Sequence, residues 1–488
     1  MKPKESTIPN ELLEHLLDAE KLKNCFECGI CTGSCPMNEL LPNDYNPRIL
    51  IEKIYHNPEE ALNDPALWLC AWCYRCYRHC PQKVKLPDVL LSVRKIAKEQ
   101  GKLKGFDKAM ETISQKVPFP VSFSLVCLHP ERAQLDDPLD QLIKHSATKK
   151  RKATSTVQKT TARKVAVIGA GPAGLTAAHE LGKKGYEVTV FESAPQPGGM
   201  LKQCIPEFRL PKKLLDEEIN HIKALGVEIK TNTKIGKDLS INELWKQGFS
   251  AILISVGAHR TRKLGVEGED LPEVFDALDF LRQTNSNEQI RIGQHVTIIG
   301  GGNVAIDSAR TAQRLGAKEV TILYRRTKDE MPANPYEIKE AQDEGIKIQF
   351  LVAPKRILGQ NSHVHGIECL KMKLGEPDQT GRRAPVPIEG SEFTIQTDSV
   401  ILAIGEAPDL SPFSKEIEIG EGNTVAVEPY STETSQPGIF AAGDCVSGPA
   451  TFIEAILAGK RAAESIDQYL QGEKAPKTEQ ILEGRSQT

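Results

Sequence analysis

The amino-acid sequence predicts an α/β fold with two Rossmann-like dinucleotide-binding domains, the second inserted in the first, preceded by a mainly helical N-terminal domain. Three observations support this prediction. A glycine-rich loop follows an apolar run at residues 169–174, and another follows a second apolar run at residues 300–305. Two matching runs of four cysteines lie between residues 25 and 80. Apolar runs that alternate with helical patterns are typical of parallel sheets covered by helices.

The first glycine-rich loop has the spacing Gly-x-Gly-x-x-Gly. Gly169 permits a tight turn, Gly171 lets the backbone approach a pyrophosphate, and Gly174 lets the next helix pack closely on the strand. A second strand, Glu187 to Phe191, ends at Glu192, where an acid meets an adenosine ribose. Glycine-rich turns also occur for backbone reasons alone, which is the alternative. We predict a dinucleotide here, with six candidate binding residues: Gly169, Gly171, Pro172, Ala173, Gly174 and Glu192.

The second glycine-rich loop reads Gly-x-Gly-x-x-Ala and is also predicted to bind a nucleotide. Its candidate residues are Gly300, Gly302, Asn303, Val304 and Ala305. The strand that follows ends on Arg325 and Arg326 rather than on an acid. Guanidinium groups bind a 2′-phosphate that a carboxylate would repel, so the pattern favours NADP, with NAD as the alternative. Arginines at a strand end are also often only solvated.

The two cysteine runs share the spacing Cys-x-x-Cys-x-x-Cys-x-x-x-Cys-Pro. Bacterial two-cluster ferredoxins bind two [4Fe-4S] clusters with this pattern, and the fourth cysteine of each run usually reaches the other cluster. The sequence therefore predicts two clusters, and a zinc ribbon is the weaker alternative because it usually shows two CxxC pairs. The first predicted cluster is bound by Cys25, Cys28, Cys31 and Cys80, and the second by Cys70, Cys73, Cys76 and Cys35.

Composition narrows the class of protein. The formal net charge of −3 argues against a nucleic-acid-binding protein, which needs a basic surface. No apolar run approaches the roughly 20 residues that span a bilayer. The N-terminus lacks the apolar region of a signal peptide, so we expect a cytoplasmic, reducing location in which disulfides are disfavoured.

Other stretches suggest the surroundings of a flavin. Glycines in turn-rich or strand-end positions allow close approach to a cofactor, and an acid before a helix N-terminus can hold a ribityl hydroxyl while the helix places partial positive charge near the ring. Cys204 is predicted to be structural, with a flavin-side role as the alternative. The candidate FAD-binding residues of this kind are Gly198, Gly199, Arg209, Gly257, Gly405, Gly443, Asp444 and Thr451.

Two family resemblances follow from these motifs. Residues 20–105, with both cysteine runs and Leu86-Pro87-Asp88, resemble the small iron-sulfur protein of the heterodisulfide reductase family, a di-cluster ferredoxin-like electron carrier. Residues 163–470 resemble the small subunit of NADPH-dependent glutamate synthase through both glycine loops, Ile205 to Pro211, Met331-Pro332-Ala333 and Ala441 to Asp444. The second resemblance implies an FAD domain interrupted by an NADPH domain. The different cysteine arrangement in front of the flavin domain of those synthases puts glutamate as product in doubt.

Together these features predict a domain plan and an activity. The predicted divisions are an iron-sulfur domain (1–128), a linker (129–162), an FAD domain (163–290 and 400–475), an NAD(P)H domain (291–399) and a tail (476–488). We expect an NAD(P)H:acceptor oxidoreductase in which the cofactors carry the chemistry and no side chain acts as acid, base or nucleophile. The expected partner is a heterodisulfide reductase-type complex. The alternatives are a glutamate synthase input subunit and a non-catalytic electron-transfer scaffold.

Overall fold

The computed structural model describes residues 28–129, 163–286, 288–378, 381–428 and 431–473. Several predictions lie outside these ranges. They are the ligand Cys25, the linker beyond His129, and the tail at 476–488.

Residues 28–129 form a helical unit, as predicted. Its helices are α1 (Ile30–Gly33), α2 (Pro36–Leu40), α3 (Pro47–His56), α4 (Pro58–Leu62), α5 (Arg75–His79), α6 (Leu86–Glu99), α7 (Lys104–Lys116) and α8 (Pro120–Phe123), with a 3-10 turn at Pro65–Trp68 and a π-helical turn at Ser124–Leu128. Several of them begin at proline, whose fixed φ suits the first turn of a helix.

A buried arginine holds the helical unit together near the second cysteine run. The Arg94 guanidinium donates hydrogen bonds to the carbonyl oxygens of Leu67 (2.8 Å), Leu128 (3.0 Å) and Cys70 (3.2 Å), and it lies 5.6 Å from the centre of the Trp68 ring. A buried charge is tolerated only when its donors are satisfied in this way. Arg94 therefore fixes the start of the second cysteine run against α6 and the end of the unit.

The remainder of the chain alternates strands with helices. The strands are β1 (Lys164–Ile168), β2 (Glu187–Phe191), β3 (Glu228–Lys230), β4 (Phe249–Ile254), β5 (Arg260–Thr261), β6 (Val274–Asp276), β7 (His295–Gly300), β8 (Glu319–Tyr324), β9 (Lys347–Phe350), β10 (Val352–Gln360), β11 (His363–Pro377), β12 (Arg383–Pro387), β13 (Phe393–Gln396), β14 (Ser399–Ala403), β15 (Glu406–Ala407) and β16 (Ile439–Ala441). The helices are α9 (Pro172–Lys183), α10 (Met200–Gln203), α11 (Lys212–Lys223), α12 (Ile241–Lys246), α13 (Ala277–Asn285), α14 (Asn303–Arg314), α15 (Pro335–Asp343), α16 (Asp444–Ser447) and α17 (Phe452–Gln471), with 3-10 turns at Lys328–Glu330 and Glu421–Asn423.

Two parallel sheets confirm the predicted fold class. The first has the strand order β16-β4-β1-β2-β3 and carries the first glycine loop at the carboxyl end of β1. The second has the order β6-β14-β7-β8-β9 and carries the second loop at the end of β7. Their central strands are almost entirely buried, as expected for sheets covered by helices on both faces. Beside the second sheet, β10–β13 form an antiparallel sheet, and β5 pairs with β15.

The strand order corrects two predicted domain boundaries. Strands β6 and β14 pair within the second sheet, although the boundaries at 290 and 400 assign β6 and most of β14 to the FAD domain. The reason is that β14 completes the second sheet by pairing with β7 on one side and β6 on the other. The domain plan stays a prediction, with both boundaries moved outward to include these strands. In the described part of the chain, none of the helices is long and apolar enough to cross a membrane.

The helical unit packs against the first sheet's unit through helix α17. The Phe452 ring lies 6.1 Å from the Phe119 ring and 6.4 Å from the Phe123 ring. Farther along α17, Arg461 donates to Glu39 at 2.5 Å. An ion pair between Arg75 and Glu454 places the second cysteine run beside the N-terminus of α17.

Candidate functional site

The first glycine loop requires glycine at two positions for steric reasons. Gly169 has φ +104°, and a Cβ there would lie 2.5 Å from the Ser255 carbonyl oxygen, just beyond neighbouring strand β4. A Cβ on Gly174 would lie 2.1 Å from the carbonyl oxygen of Gly169 itself. No side chain fits at either distance. Both glycines therefore have the turn and packing roles expected of them.

Gly171 and Gly199 meet backbone to backbone beside a cavity. A Cβ on Gly171 would have its nearest neighbour at 3.9 Å, whereas a Cβ on Gly199 would lie 2.7 Å from the Gly171 Cα. Gly171, Pro172, Ala173 and Gly199 all line the cavity, and Pro172 begins helix α9. A helix N-terminus with an open backbone suits a pyrophosphate. Gly198, with φ +127°, forms the turn without lining the cavity.

Glu192 lines the same cavity, at the end of β2. One carboxylate oxygen accepts a hydrogen bond from the Ala170 N–H at 2.7 Å, and the other accepts from the Ala194 N–H at 2.7 Å. The acid therefore fixes the glycine loop, and its contact with a ribose stays a prediction. Oε2 has a further lone pair that could accept from a ribose hydroxyl, whereas Oε1 also accepts from the Ser193 hydroxyl at 3.3 Å.

The cavity has a volume of about 650 Å³ and borders three parts of the molecule. On one side lie the first glycine loop and the α17 N-terminus. A second side is formed by Trp72, Cys73 and Cys127 of the helical unit. Asn303, Val304 and Asp307 of α14 form the third, next to the second glycine loop. The volume lies within the range of small-molecule and cofactor sites.

Asp444 also lines the cavity, following Gly443 at the start of α16. Burial, together with Glu454 and Glu406, raises the pKa of Asp444 to about 7. Gly443 has φ +79°, and a Cβ there would lie 2.9 Å from that of Ala173. This contact brings Asp444 next to the first glycine loop, and a carboxyl near neutrality can donate or accept a hydrogen bond.

Thr451 begins α17 with a reciprocal capping box. Its N–H and hydroxyl donate to Glu454 Oε2 at 2.9 and 2.7 Å. Thr451 lines the cavity, as does Gly257, which has φ +67°.

The second glycine loop has the same steric requirement for glycine at its first position as the first loop. Gly300 has φ +148°, and a Cβ there would lie 2.1 Å from the Ala403 carbonyl oxygen of β14. Around Gly302, by contrast, a Cβ would meet nothing within 4 Å, so the backbone is open where a phosphate would approach. Ala305 is buried against the sheet, and Gly405, with φ +110°, lies just beyond β14.

The arginine pair after β8 divides into two roles. Arg326 is buried, and its guanidinium donates to Asp378 Oδ2 (2.5 Å) and to the Arg383 carbonyl oxygen (2.7 Å). The prediction that Arg326 binds the phosphate is therefore not supported, because its donors are engaged with the antiparallel sheet. Arg325 is exposed as a whole residue. Partial desolvation of its guanidinium lowers its pKa, and the nearby charges of Arg326 and Arg382 lower the pKa further. This concentration of positive charge suits a phosphate.

Arg209 bridges the two nucleotide units instead of standing free for a cofactor. It donates to both Asp307 oxygens at 2.7 Å and to Glu337 Oε1 at 2.9 Å. Burial opposes the charge of Arg209, but these carboxylates outweigh it and raise the pKa of Arg209, while burial and Glu337 raise the pKa of Asp307. The predicted cofactor role of Arg209 is therefore corrected to an ion pair at the edge of the cavity. Asp307 was missed in the sequence, although it lies one turn after Asn303 on the same face of α14.

His259 is another cavity-lining residue that the motifs did not reveal. The Arg282 guanidinium lies 3.1 Å from His259 Nδ1, and burial together with the Arg282 charge lowers the histidine pKa to about 4. The ring is therefore neutral, and Nδ1 accepts from Arg282. The proton then resides on Nε2, which can serve as a donor. Cys204 is buried with its sulfur 3.9 Å from the Leu278 carbonyl oxygen, and it also lines the cavity, so its structural role and the flavin-side alternative both stay predictions.

The described cysteines of the second predicted cluster lie together. Burial, and to a smaller extent the charges of Cys70 and Cys73, raises the pKa of Cys35 to about 12, and burial is also the main reason that the pKa of Cys73 rises to about 11. Burial likewise raises the pKa of Cys76, and the charges of Cys70, Cys73 and Cys35 add to the effect. Buried thiols whose charges repel one another suit a metal cluster, which stabilises thiolates. Cys35 thus lies near enough to Cys70 and Cys73 for their charges to act on its thiol, and its pairing with the second run stays a prediction.

Of the other described ligands, Cys31 and Cys80 are half-buried, as Cys35, Cys73 and Cys76 are, and Cys28 is exposed. Across the described ranges, no three His, Cys, Asp or Glu side chains converge as they would on a single metal ion. A [4Fe-4S] cluster instead takes each thiolate on a different iron, so its ligands surround a larger core. The cluster assignments stay predictions.

The cluster-binding loop also touches the second nucleotide unit. Asn334 Nδ2 donates to the Trp72 carbonyl oxygen at 3.3 Å, and the Asn334 N–H donates to Asn303 Oδ1 at 3.0 Å. The Trp72 and Tyr336 rings meet edge to face at 5.6 Å. Asn334 therefore connects the second glycine loop directly to the second cysteine run.

Comparison with known proteins fits this geometry. A family model described as pyridine nucleotide-disulphide oxidoreductase matches residues 163–459, more than half of the chain. The chain belongs to the pyridine nucleotide-disulphide oxidoreductase family. A second model, a 4Fe-4S dicluster domain, matches residues 21–84. This family member therefore carries an iron-sulfur domain in front of its oxidoreductase domain, and its cofactors are FAD, NADP and 4Fe-4S clusters.

Three relatives are informative. The chain is 38% identical to the NADP(+)-dependent formate dehydrogenase subunit beta of Moorella thermoacetica, over 84% of this chain and 62% of that protein. It is 37% identical to the NADPH-Fe(3+) oxidoreductase subunit beta of Geobacter sulfurreducens, over 83% of this chain and 65% of that protein. It is 36% identical to the glutamate synthase [NADPH] small chain of Escherichia coli, over 64% of this chain and 70% of that protein. The chain thus spans less than two thirds of the first two relatives.

A solved structure supports the fold alone. FprA of Mycobacterium tuberculosis in complex with NADPH superposes with a TM-score of 0.55 at 20% identity, over 64% of this chain and 85% of that one.

The residues around the cavity fit the family's cofactors. The first loop, Glu192, Asp444 and Thr451 would hold FAD, and Asn303 would hold NADP together with Gly302 and Arg325, which do not line the cavity.

Proposed function

We propose that this protein is the NADPH-linked electron-transfer subunit of a larger redox complex. The observation that carries the proposal is the single cavity shared by the first glycine loop, by Asn303 beside the second loop and by Cys73 of the second cysteine run. When bound, FAD exchanges a hydride with NADP(H) and single electrons with iron-sulfur clusters. A cavity that borders both kinds of exchange partner is the arrangement such chemistry needs.

The protein's own residues bind, orient and shield. Gly171 and Gly199 open the backbone toward a pyrophosphate, while Leu201, Leu278 and Phe452 contribute apolar walls that exclude water. Water exclusion prevents reduced cofactors from losing electrons to side reactions. The pattern supports oriented transfer between bound cofactors rather than acid-base catalysis by a side chain.

The proposed partner is a catalytic subunit that accepts or supplies electrons at the exposed side of the first cysteine run. The relatives that match both halves of this chain are named as beta subunits, of an NADP-dependent formate dehydrogenase and of an NADPH-Fe(3+) oxidoreductase. The heterodisulfide reductase-type partner expected from the cysteine motifs stays a prediction, since none of the relatives named above is of that type.

A glutamate synthase input subunit is the second candidate, favoured by the match to the E. coli small chain. That match covers 64% of the chain, whereas the beta-subunit matches cover 83–84%. The more extensive matches favour the electron-transfer subunit. Glutamine-dependent glutamate formation with a synthase large subunit would instead favour the second candidate.

The test is anaerobic stopped-flow mixing of the FAD- and cluster-loaded protein with NADPH, and separately with NADH. We expect NADPH to bleach the flavin first and the cluster absorbance second, with electron paramagnetic resonance signals from reduced clusters. Cys73→Ser serves as the control that keeps the nucleotide site and weakens the second cluster. Oxidised clusters after full flavin reduction, with a competent acceptor present, would refute the proposal, and no reduction by either nucleotide would favour a non-catalytic scaffold.

A further inference from the structure

One carboxylate joins the cluster-binding loop to the cavity. Glu454 Oε2 accepts from the Thr451 N–H and hydroxyl at 2.9 and 2.7 Å, while Arg75 Nη1 donates to Glu454 Oε1. The two oxygens therefore serve two different parts of the molecule. A bridging carboxylate of this kind transmits the position of one loop to the other.

Both ends of the bridge reach the proposed electron path. Arg75 lies between Cys73 and Cys76 in the second cysteine run, and Cys73 lines the cavity. At the other end, Thr451 and Ala450 line the cavity from the α17 side. The Glu454 carboxylate is thus a polar connection that the structure provides between the second run and the α17 N-terminus.

We infer that Glu454 is a positioning residue that sets the placement of the second cluster relative to the bound flavin. The inference rests on the proposed function, because it concerns the transfer from flavin to cluster. Glu454 contacts neither cofactor site directly as a ligand. It acts through Arg75 on one side and through Thr451 on the other.

The exposure of the Arg75–Glu454 ion pair allows its effect on cluster placement to be measured apart from its effect on folding stability. The side chains of Arg75 and Glu454 are 44% and 26% exposed, and ion pairs at such exposure contribute little to folding stability. Misplacement of reacting groups by about 1 Å, in contrast, can cost about a hundredfold in rate. Loss of the bridge should therefore slow one step of electron transfer while the protein stays folded.

The chain offers a matched control on the same helix. Arg461 and Glu39 also tie α17 to the helical unit, with exposures of 53% and 42%, but no residue within two positions of either lines the cavity, whereas Cys73 and Ile453 do so beside the bridge. Glu454→Gln removes the charge of the bridge while keeping a residue that suits the capping box. Arg75→Gln breaks the bridge from the other side, and Arg75→Lys keeps its charge.

The experiment compares Glu454→Gln, Arg75→Gln, Arg75→Lys and Arg461→Gln in the fully loaded protein. Stopped-flow spectroscopy measures flavin reduction by NADPH and the subsequent cluster reduction separately. Hydrogen-deuterium exchange measures the backbone amides of residues 73–78 and 450–455 without turnover.

We expect Glu454→Gln and Arg75→Gln to slow cluster reduction about tenfold, with unchanged flavin reduction and about fivefold faster exchange in both segments. Arg75→Lys should restore most of the cluster rate, and Arg461→Gln should match the wild type. The inference is overturned if the bridge variants reduce their clusters at the wild-type rate, or if Arg461→Gln slows them equally. If the wild type itself does not reduce its clusters with NADPH, the proposed function fails and exchange alone decides whether the bridge fixes both segments.

Discussion

The buried triad of Arg209, Asp307 and Glu337 allows the sharpest prediction. Arg209→Met leaves two carboxylates facing each other at the edge of the cavity, without the guanidinium that binds both. Removing one partner of a buried ion pair costs about 3–5 kcal/mol, because the remaining charge is uncompensated. At about 2–4 °C per kcal/mol for a unit of this size, the thermal midpoint should fall by about 10 °C.

Differential scanning fluorimetry of the released flavin measures that midpoint, and far-ultraviolet circular dichroism checks that unfolding of the nucleotide units coincides with it. Lys339→Gln is the matched control, because Lys339 and Asp343 form an ion pair with both side chains more than 60% exposed. We expect this control to change stability by less than about 0.5 kcal/mol.

The loss in Arg209→Met should depend on pH in a defined direction. Burial and Glu337 already hold the pKa of Asp307 above its usual value, and loss of the guanidinium raises it further. The folded state then binds more protons than the unfolded state, so stability falls as pH rises from the usual pKa through the raised one. Arg209→Met/Asp307→Asn should recover most of the loss at neutral pH. A midpoint within about 2 °C of the wild type, or no recovery in the double variant, would refute an uncompensated buried charge.

Three further predictions concern the other site residues. Because the pKa of Asp444 is raised to about 7, the flavin-free protein should lose stability as pH rises from about 4 to 7, at up to about 1.4 kcal/mol per pH unit, and Asp444→Asn should flatten that slope in thermal melts. Arg325→Gln should raise the KM for NADPH about tenfold and leave that for NADH unchanged, whereas Arg326→Gln should lower the thermal midpoint more than it alters the NADPH preference, as steady-state kinetics and melting curves would show. Cys73→Ser should reduce the number of reducible clusters from two to one in quantitative electron paramagnetic resonance, while flavin reduction by NADPH persists.

The sequence predicted the features that local sterics and ligand chemistry dictate. A Cβ at Gly169 or Gly300 would clash with a neighbouring backbone carbonyl, so only glycine fits at these positions. The spacing of the glycines therefore predicts the strand, turn and helix around them. The cysteine spacing likewise reflects how one short segment surrounds a cluster. Such constraints act over a few consecutive residues, so the sequence alone reveals them.

Long-range pairing was less visible. Arg326 looked like a phosphate ligand until Asp378, 52 residues later, was found to bind it. Arg209 pairs with Asp307 98 residues away, and nothing near either residue announces the partner. The strand β14 reads as a return to the first unit, yet hydrogen bonding places it in the second sheet. In these three cases the prediction failed because the side chain or strand pairs with a residue or strand that is distant in the sequence.

The contacts of Trp72 with Tyr336 and of Phe452 with Phe119 have a consequence for modularity. The cluster-bearing unit packs aromatic rings against both neighbours, Trp72 against Tyr336 and Phe119 against Phe452. A chain shortened to begin at β1 would uncover Tyr336 and Phe452 together, and such apolar patches promote self-association. Removing the cluster-bearing unit from this chain would therefore expose apolar surface on both of its neighbours.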